Sequence, residues 1–311
     1  MNVLTKKCLS CLLIFMTLCF LLSGCSPKKE FKFHFFRKNG ETYIQKLSTT
    51  RERQMGPAGV QTDDTLTETR VICKKTKDGW DIESRPINAI MMRNGEEIKS
   101  PLLALLSKFV ITYKVDNDGE LKDVLGYDKV LEAAKSQYSE GVAENLSSML
   151  NIDALKQRDF SEWNGRIGYY LNKEFSIGDV WEYEAPYTLP NGVKLNYKVR
   201  TLFKKLVLHK NVKCVLIEQT YGSTGEGIAD LANDVVKSVS KEDDKTKNAT
   251  FKVSDTGSSV KGKATRIIDP STMTIYKEDV ERTIHMEMDV PGAGQIPVKM
   301  IETRSYEYDY Q

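Results

Sequence analysis

Apolar and polar residues alternate along most of the chain after residue 30, and this two-residue period predicts a protein built mainly of β-strands. The pattern is clear at the start, where Phe31, Phe33 and Phe35 share one face and Lys32 and His34 share the other. Turn-forming Asp, Asn, Gly and Pro residues separate the alternating segments. Further strands are predicted at 65–75, 80–92, 109–115, 180–185, 195–203, 264–268, 273–290 and 296–310. Residues 212–218 are mostly apolar on both faces, which indicates a central strand.

The period changes after Gly126. Apolar residues then recur every three or four positions, which predicts an amphipathic helix with Asp128 at its start. These residues are Leu131, Ala134, Tyr138, Val142, Leu146 and Met149. A second helix is predicted from Ile152 to Ile167, packed against the first, and a short third helix at 228–239 precedes a charged loop at 241–247. The order of strands, helices, strands, one short helix and strands predicts the α+β class with an antiparallel sheet.

The N-terminal segment carries a different signal. Lys6 and Lys7 precede an apolar run at 8–22, and this N-terminal segment ends in Leu22-Ser23-Gly24-Cys25. A basic start, an apolar core and small residues before the cut are typical of a secretory signal peptide. The ending resembles the lipobox of bacterial lipoproteins, in which the Cys is acylated and becomes the new N-terminus. The alternative is a single transmembrane anchor, but a run of about 15 apolar residues is shorter than the roughly 20 that span a bilayer.

The lipobox resemblance divides the chain into a signal peptide at 1–24, the lipidated Cys25 with a short tether to residue 30, and a folded domain at 31–311. It implies palmitate or a similar acyl chain on Cys25, attachment to a membrane through that lipid, and a location in the bacterial cell envelope. Ser26 follows the lipidated residue. In a bacterium with two membranes this resembles an outer-membrane destination, because Asp at that position is the usual inner-membrane retention signal.

The composition of the chain narrows the class of partners. The whole chain has 45 basic and 43 acidic residues, and the signal segment contributes two lysines and no acidic residue. The mature chain is therefore balanced in charge, and it lacks the basic excess that nucleic-acid binding requires. A content of 40% hydrophobic and 28% charged residues is that of an ordinary globular domain.

Two cysteines remain in the folded domain. Three others leave with the signal segment and Cys25 takes the lipid, so only Cys73 and Cys214 are left. Outside the cytoplasm two thiols could form a disulfide. The alternative is that both are small buried hydrophobic side chains, which is common for free cysteine.

The domain shows no catalytic, metal or cofactor motif in its sequence. The loop at 222–227 follows a strand, but its spacing matches neither phosphate-binding motif, and Glu226 would repel a phosphate. None of the three histidines stands at metal-ligand spacing. Asp116, Asp118 and Glu120 alternate like a calcium loop but lack its Gly at position six and Glu at position twelve. We therefore expect a protein that is not an enzyme and needs no cofactor.

The turns of the domain resemble those of an uncharacterised family of bacterial lipoproteins that is similar to the lipoprotein carriers LolA and LolB. The segments that carry the resemblance are 115–121 (VDNDGEL), Gly126-Tyr127, 177–181 (IGDVW) and Ile268-Asp269-Pro270. The resemblance implies a curved antiparallel sheet, or half-barrel, with helices covering its concave face over an apolar cavity. It also implies a hydrophobic ligand such as an acyl chain. The turns at Asp116 and Asp269 further indicate two pseudo-repeats within the domain.

Two groups of side chains are candidates for the walls of such a cavity. Met286 and Met288 share a strand face, and flexible Met side chains adapt to irregular apolar ligands. Aromatic walls could come from Trp181, Tyr183, Tyr306, Tyr308 and Tyr310. The alternative for each of these residues is ordinary packing in the core beneath the helices.

These observations lead to two functional hypotheses. The first is a lipid-anchored envelope protein that binds a lipid or another hydrophobic ligand without catalysis. The alternative is a structural or protein-interaction lipoprotein with a solid core, whose protein partner the sequence does not name. A continuous apolar cavity favours the first hypothesis over the second, whereas a cluster of polar titratable groups in that cavity would favour an enzyme as a third.

Overall fold

A computed structural model describes residues 30–55, 59–137, 151–188, 194–224, 252–253, 258–290 and 294–310. Within them the chain forms fifteen strands, three α-helices and one turn of 3₁₀-helix. The strands are β1 (Glu30–Lys32), β2 (Thr42–Met55), β3 (Val60–Lys75), β4 (Gly79–Arg93), β5 (Glu96–Glu97), β6 (Ile111–Asp116), β7 (Leu121–Leu125), β8 (Glu174–Ser176), β9 (Val180–Thr188), β10 (Lys194–His209), β11 (Val212–Thr224), β12 (Lys252–Val253), β13 (Ser259–Asp269), β14 (Thr274–Val290) and β15 (Gly294–Tyr310).

Thirteen of these strands form one antiparallel sheet, while β1 and β8 pair with each other. The strand order is β7-β6-β4-β3-β2-β15-β14-β13-β11-β10-β9, with β5 paired to β4 and β12 paired to β14. Most neighbours are close in the sequence. The exception is β2, which pairs with β15 from Tyr43 opposite Tyr310 to Met55 opposite Val298. This long-range pair joins the first half of the chain to the second.

Three helices accompany the sheet: α1 (Pro101–Leu106), α2 (Tyr127–Gln137) and α3 (Ile152–Arg166), with a 3₁₀ turn at Gly168–Tyr170. The side chain of Asn151 starts α3, because its oxygen accepts a hydrogen bond from the backbone N–H of Ala154 at 3.0 Å. α3 contacts both β7 and β9, the first and last strands of the sheet order. The sheet face that α3 packs on is called the helix face below.

The turn after β6 holds α3 in place. The carboxylate of Asp116 accepts hydrogen bonds from the backbone N–H groups of Asp118 and Glu120, both at 2.9 Å. Gly119 follows with a φ of 95°, a left-handed conformation that glycine adopts without strain. Its carbonyl accepts a hydrogen bond from the indole Nε1 of Trp163 on α3 at 3.0 Å. The predicted turn is therefore confirmed. It anchors α3, which forms one wall of the cavity described below.

The apolar core lies on the helix face. Its largest fully buried side chains include Phe33, Tyr170, Phe203 and Ile268. Phe203 is central to this packing, since its ring stacks on Phe175 of β8 with centroids 4.0 Å apart and lies 6.0 Å from the ring of Phe33. The small β1–β8 pair is thus fixed to the large sheet by aromatic contacts.

The predicted fold class is wrong. The protein is mostly one large antiparallel sheet with three short helices in its described residues, not an α+β half-barrel with helices covering the concave face. α1 and α2 have 6 and 11 residues, too few to form a layer over a sheet of this size. Strands of 14 to 17 residues pair along most of their length instead, and they satisfy the backbone hydrogen bonds within the sheet.

Individual elements of the sequence prediction fare better. The strands predicted at 212–218 and 296–310 lie within β11 and β15, and the one predicted at 273–290 begins one residue before β14. The helical period after Gly126 gives α2 as far as Gln137, and the second predicted helix is α3. Several predictions lie outside the described residues: the signal peptide, Cys25, the helix positions Tyr138, Val142, Leu146 and Met149, and the segment at 228–247. The two pseudo-repeats stay a prediction.

Cys73 and Cys214 are both buried and both free thiols. Burial raises the pKa of each thiol to about 11. Both side chains are therefore protonated near neutral pH and behave as small apolar groups. The sequence left open either a disulfide or two buried thiols, and the structure has two buried thiols.

Candidate functional site

A cavity of about 130 Å³ lies between α3 and the helix face. Its walls come from α3, from the residues just after it, and from strands β9, β10, β11, β13, β14 and β15. Tyrosines and arginines dominate the lining, and we call it the arginine–tyrosine cavity. The tyrosines are Tyr169, Tyr183, Tyr187, Tyr197, Tyr221 and Tyr306, the arginines are Arg166, Arg266, Arg282 and Arg304, and the carboxylates are Glu162, Glu278 and Glu302.

Five of the tyrosine rings pack in two groups, which together form the tyrosine wall of the cavity. The ring centroids of Tyr169 and Tyr183 are 4.9 Å apart. Those of Tyr187 and Tyr197 are 5.5 Å apart, and Tyr197 lies 5.2 Å from Tyr221. Such tilted pairs are favourable contacts, and each ring offers an apolar face together with a polar hydroxyl. The wall can therefore contact apolar groups over most of its area.

One carboxylate on the helix face gathers three arginines. Glu302 is 3% exposed and stands directly opposite Arg282 on β14 and Arg51 on β2. It accepts hydrogen bonds from Arg282 at 2.8 Å and from Arg51 at 2.6 Å, and Arg304 lies 2.9 Å away. Directly opposite residues on one face of an antiparallel sheet are neighbours. The strand register is therefore what brings these charges together.

A second carboxylate ties α3 to the sheet. Glu278 is 1% exposed and stands opposite Arg266 on β13, from which it accepts a hydrogen bond at 2.6 Å. Its other oxygen lies 2.8 Å from Nε of Arg166, in the last turn of α3. Arg266 also donates to the side-chain oxygen of Gln219 at 2.6 Å. The third carboxylate, Glu162 on α3, lies 3.8 Å from Arg304 and 4.0 Å from Arg166.

All three carboxylates stay ionised near neutral pH. Burial acts to raise the pKa of Glu302, but the three arginines around it outweigh burial and hold the pKa at about 2. Burial also acts to raise the pKa of Glu278 and Glu162, and in both cases the neighbouring arginines hold the pKa below its ordinary value. The cavity therefore has a fixed pattern of positive and negative charge.

The pKa of Glu302 predicts a specific loss of stability in acid. The pKa falls from an ordinary 4.5 to about 2 on folding, so this carboxylate stabilises the protein fully above pH 4.5 and less as the pH falls toward 2. The full contribution is about 3 kcal/mol at roughly 1.4 kcal/mol per pKa unit. We expect Glu302→Gln to be less stable than wild type at pH 6 in urea unfolding, and the gap to narrow by pH 2.5. A gap that stays constant with pH would contradict this assignment.

A second cavity of about 240 Å³ shares Glu162, Arg166 and Tyr306 with the first. It also meets the buried Asp159 of α3, which accepts a hydrogen bond from the hydroxyl of Tyr127 at 2.6 Å. Burial raises the pKa of Asp159 above its ordinary value. The last turns of α3 thus contribute to the walls of both cavities.

The structure places the predicted aromatic site residues near the cavities. Tyr183 and Tyr306 line the arginine–tyrosine cavity, and Tyr306 also lines the second one together with Tyr308 and Tyr310. Trp181 is half-buried and stacks on Tyr183 with centroids 4.2 Å apart. Its ring packs against that of Tyr183, and it lines neither of the two described cavities.

The predicted methionine stripe has a different setting. Met286 is 3% exposed and packs in the core with Ile284 and Val298. It shares its face of β14 with Arg282, four positions away, but it is not a lining residue of either described cavity. The side chain of Met288 lies outside the described part of the structure.

The charged residues of the site were not among the predicted site residues, although the sequence carries a signal for them. Arg282 lies an even number of positions from Ile284 and Met286 on β14 and therefore shares their strand face. Glu302 shares a face of β15 with Tyr306 for the same reason. A charged residue is almost never fully buried unless it is paired. Charges of opposite sign on the apolar faces of consecutive strands therefore indicate buried ion pairs.

The chemistry of the site is suited to binding. Within the described residues, no three His, Cys, Asp or Glu side chains stand together in a way that could hold a metal ion. The titratable groups of the cavity are paired carboxylates, arginines and tyrosines, and burial raises the pKa of Tyr183, Tyr197 and Tyr221. None of the described helices is long and apolar enough to cross a bilayer.

Comparisons with known proteins give only a distant likeness of fold. No family model matches the chain, and no curated protein does. A structure of lipovitellin, concerned with lipid–protein interactions, is similar at 8% identity and a TM-score of 0.44, covering 88% of this chain. The match spans about a quarter of the lipovitellin chain, 26% of its length.

Two bacterial structures match over nearly their whole length. One is a candidate exported protein with a YmcC-like fold from Bacteroides fragilis, and the other is a candidate lipoprotein from Parabacteroides distasonis. They are 9% and 11% identical to this chain, each with a TM-score of 0.25, and the match covers 87% of this chain and 97% of each of theirs. At these identities and scores the likenesses assign no ligand, and none of the three structures is described as a LolA or LolB carrier.

Proposed function

We propose that the protein is a lipid-anchored protein of the bacterial cell envelope that binds a lipid or another small hydrophobic molecule without catalysis. The sequence Leu22 to Cys25 supports the lipid anchor, and Ser26 supports the outer membrane as the destination in a bacterium with two membranes. The ligand site is the arginine–tyrosine cavity. One observation carries the proposal: this cavity has aromatic walls and is left unfilled, whereas a solid structural core would fill it.

The size of the cavity sets the size of the ligand group. An engineered protein cavity of about 150 Å³ stays dry and takes up benzene, so a cavity of about 130 Å³ accommodates about six carbon atoms. The space is left by the small side chains of Ala185, Val199 and Ala264 among the larger tyrosines. The neighbouring cavity, with which it shares Tyr306, offers room for a longer chain.

The absence of catalysis is part of the proposal. A general acid needs a pKa near the working pH. The pKa values of Glu162, Glu278 and Glu302 are all held below their ordinary range, and the pKa of Tyr197 is raised by burial. These groups keep their protonation states near neutral pH, which supports a binding role.

Filling the cavity is expected to remove ligand binding. Ala185 is 9% exposed and lines the cavity from β9, so Ala185→Leu places extra carbon atoms inside it. The soluble domain starting at Ser26 contains every described element of the fold. We expect it to bind the neutral fluorophore N-phenyl-1-naphthylamine saturably, with the phenyl ring in this cavity and the naphthyl group toward the neighbouring one. Ala185→Leu should weaken this binding at least about tenfold, which is about the effect of one or two buried CH₂ groups. Fluorescence titration measures both.

Glu184→Leu is the matched control, because it adds the same side chain one position away on the exposed face of β9. It should leave the affinity for the fluorophore unchanged. Mass spectrometry of lipid co-purified with the domain gives an independent test. If wild type binds no apolar probe and carries no lipid, the binding proposal falls and the structural alternative stands.

A further inference from the structure

The charges around the arginine–tyrosine cavity do not balance. Four arginines and three glutamates line it, and Arg51 adds a fifth guanidinium on Glu302. The other cavity-facing residues of β9, β10 and β11 carry no charge, and the exposed charges of those strands stand on the opposite face. The cavity lining therefore has one positive charge in excess, in surroundings where unpaired charge is costly, and Arg51, which is 34% exposed and stands opposite Asp63 on β3, adds to that excess only in part.

The excess is concentrated on one side of the cavity. Glu302 alone receives three arginines, Arg51, Arg282 and Arg304. Arg304 shares a second, longer contact with Glu162 at 3.8 Å. A single carboxylate can accept from several donors, but its one negative charge cannot neutralise three guanidinium groups.

Two buried polar atoms at the same place lack a hydrogen-bond partner of good geometry within the described residues. They are the hydroxyl of Tyr197, a residue that is 6% exposed, and Nε of Arg282, whose side chain is 12% exposed. The two residues line the same cavity, and both the charge of Arg282 and a hydrogen bond from it oppose the rise that burial causes in the pKa of Tyr197. Buried polar groups are paired in nearly all protein structures, and neither the O–H of Tyr197 nor the Nε–H of Arg282 has a well-aligned acceptor among the described residues, so both can donate to a ligand acceptor.

We propose that this corner of the cavity binds an oxyanion, the head group of the hydrophobic ligand, with Arg282 and Tyr197 as its donors and the tyrosine wall around its apolar chain. This assignment rests on the proposed function, and it narrows the ligand class to anionic amphiphiles with a carboxylate or phosphate group. Guanidinium donors suit both head groups because their hydrogen bonds to oxyanions are charge-assisted. A neutral lipid could accept these hydrogen bonds, but it would bring no negative charge to offset the excess of guanidinium groups.

Eight-carbon probes test the proposal, because their chains fill the arginine–tyrosine cavity and extend only slightly toward the neighbouring one. Octanoate, octyl phosphate and octanol compete with N-phenyl-1-naphthylamine for the soluble domain starting at Ser26, at pH 7.5. We expect the better of the two anions to displace the fluorophore at a concentration at least about tenfold lower than octanol, the effect of one charge-assisted hydrogen bond. The difference between octanoate and octyl phosphate identifies the preferred head group.

Variants link the preference to the two donors. Arg282→Gln removes the charge, and Tyr197→Phe removes only a hydroxyl and leaves the ring. Both should weaken anion binding about tenfold and octanol binding much less, so that the preference for the anion over octanol falls. Arg200→Gln is the control for charge, because Arg200 is 53% exposed on the other face of β10. If Arg282→Gln does not fold, Tyr197→Phe carries the test.

The outcomes separate this inference from the proposed function. If the fluorophore binds and octanol competes as well as both anions, the oxyanion site is overturned while the hydrophobic site stands. An anion preference that survives Tyr197→Phe and Arg282→Gln also overturns it. If neither the fluorophore nor any eight-carbon probe binds, the proposed function itself falls and the inference falls with it.

Discussion

Glu278→Ala is expected to lower the free energy of unfolding by about 3 to 5 kcal/mol, the range measured when one partner of a buried ion pair is removed. The carboxylate of Glu278 lies between Arg266 at 2.6 Å and Arg166 at 2.8 Å. Its removal leaves both guanidinium groups without their main negative partner, and Arg266 is only 8% exposed. It also cuts the ion pair that joins α3 to β14. Since domains are stable by about 5 to 15 kcal/mol, much of the total stability is lost.

Glu281→Ala provides the matched control on the same strand. Glu281 also forms an ion pair, with Lys263 at 2.9 Å, but the two side chains are 47% and 66% exposed. Exposed pairs contribute about 0 to 1 kcal/mol, so this variant should unfold at nearly the urea concentration of wild type. Equal destabilisation by the two variants would mean that the Glu278 network contributes nothing beyond strand propensity.

The strands of this protein were predictable because their signal is local. In β15 the alternation of residues 296–310 is continuous, and the structure has a strand from Gly294 to Tyr310. The arrangement of strands was not predictable in this way. The pairing of β2 with β15 joins segments from opposite ends of the domain, and no local period carries that information.

The fold class failed for a related reason. Periodicity correctly indicated α2 and α3, but it says nothing of how much sheet surface a helix covers. The layout of the carrier family then supplied a helical layer that this chain lacks in its described residues. The length and mutual pairing of strands such as β14, with 17 residues, decide the architecture.

The candidate site shows the same division between what is local and what is not. Alternation put Tyr183 and Tyr306 on cavity-facing sides of their strands, and it put Met286 on the buried face of β14. It could not distinguish a cavity wall from core packing, because both use apolar side chains on the buried face. The arginines were overlooked because a charge on a strand is usually exposed. Only the register that sets Glu302 between Arg282 and Arg51 explains their burial.

Cys25→Ala is expected to abolish the attachment of the protein to the membrane. The thiol of Cys25 is the only group in the predicted lipobox that can carry the diacylglyceryl lipid, and several acyl chains on one residue anchor a protein firmly. Without it the precursor should either remain uncleaved or be released into the soluble fraction. Membrane fractionation and the intact mass of the protein measure both results, with the mature wild type heavier than its polypeptide by the mass of its acyl groups.

Cys19→Ala is the control that separates lipidation from a general effect of losing a cysteine. Cys19 lies in the apolar run of the same signal segment, but it stands outside Leu22-Ser23-Gly24-Cys25. An apolar Ala preserves the run, so this variant should be cleaved, acylated and retained like wild type. If Cys25→Ala also fractionates with the membrane at the mature mass of wild type, the lipobox assignment is wrong. In that case something other than a lipid on Cys25 would have to hold the proposed cavity close to the membrane, which supplies anionic amphiphiles.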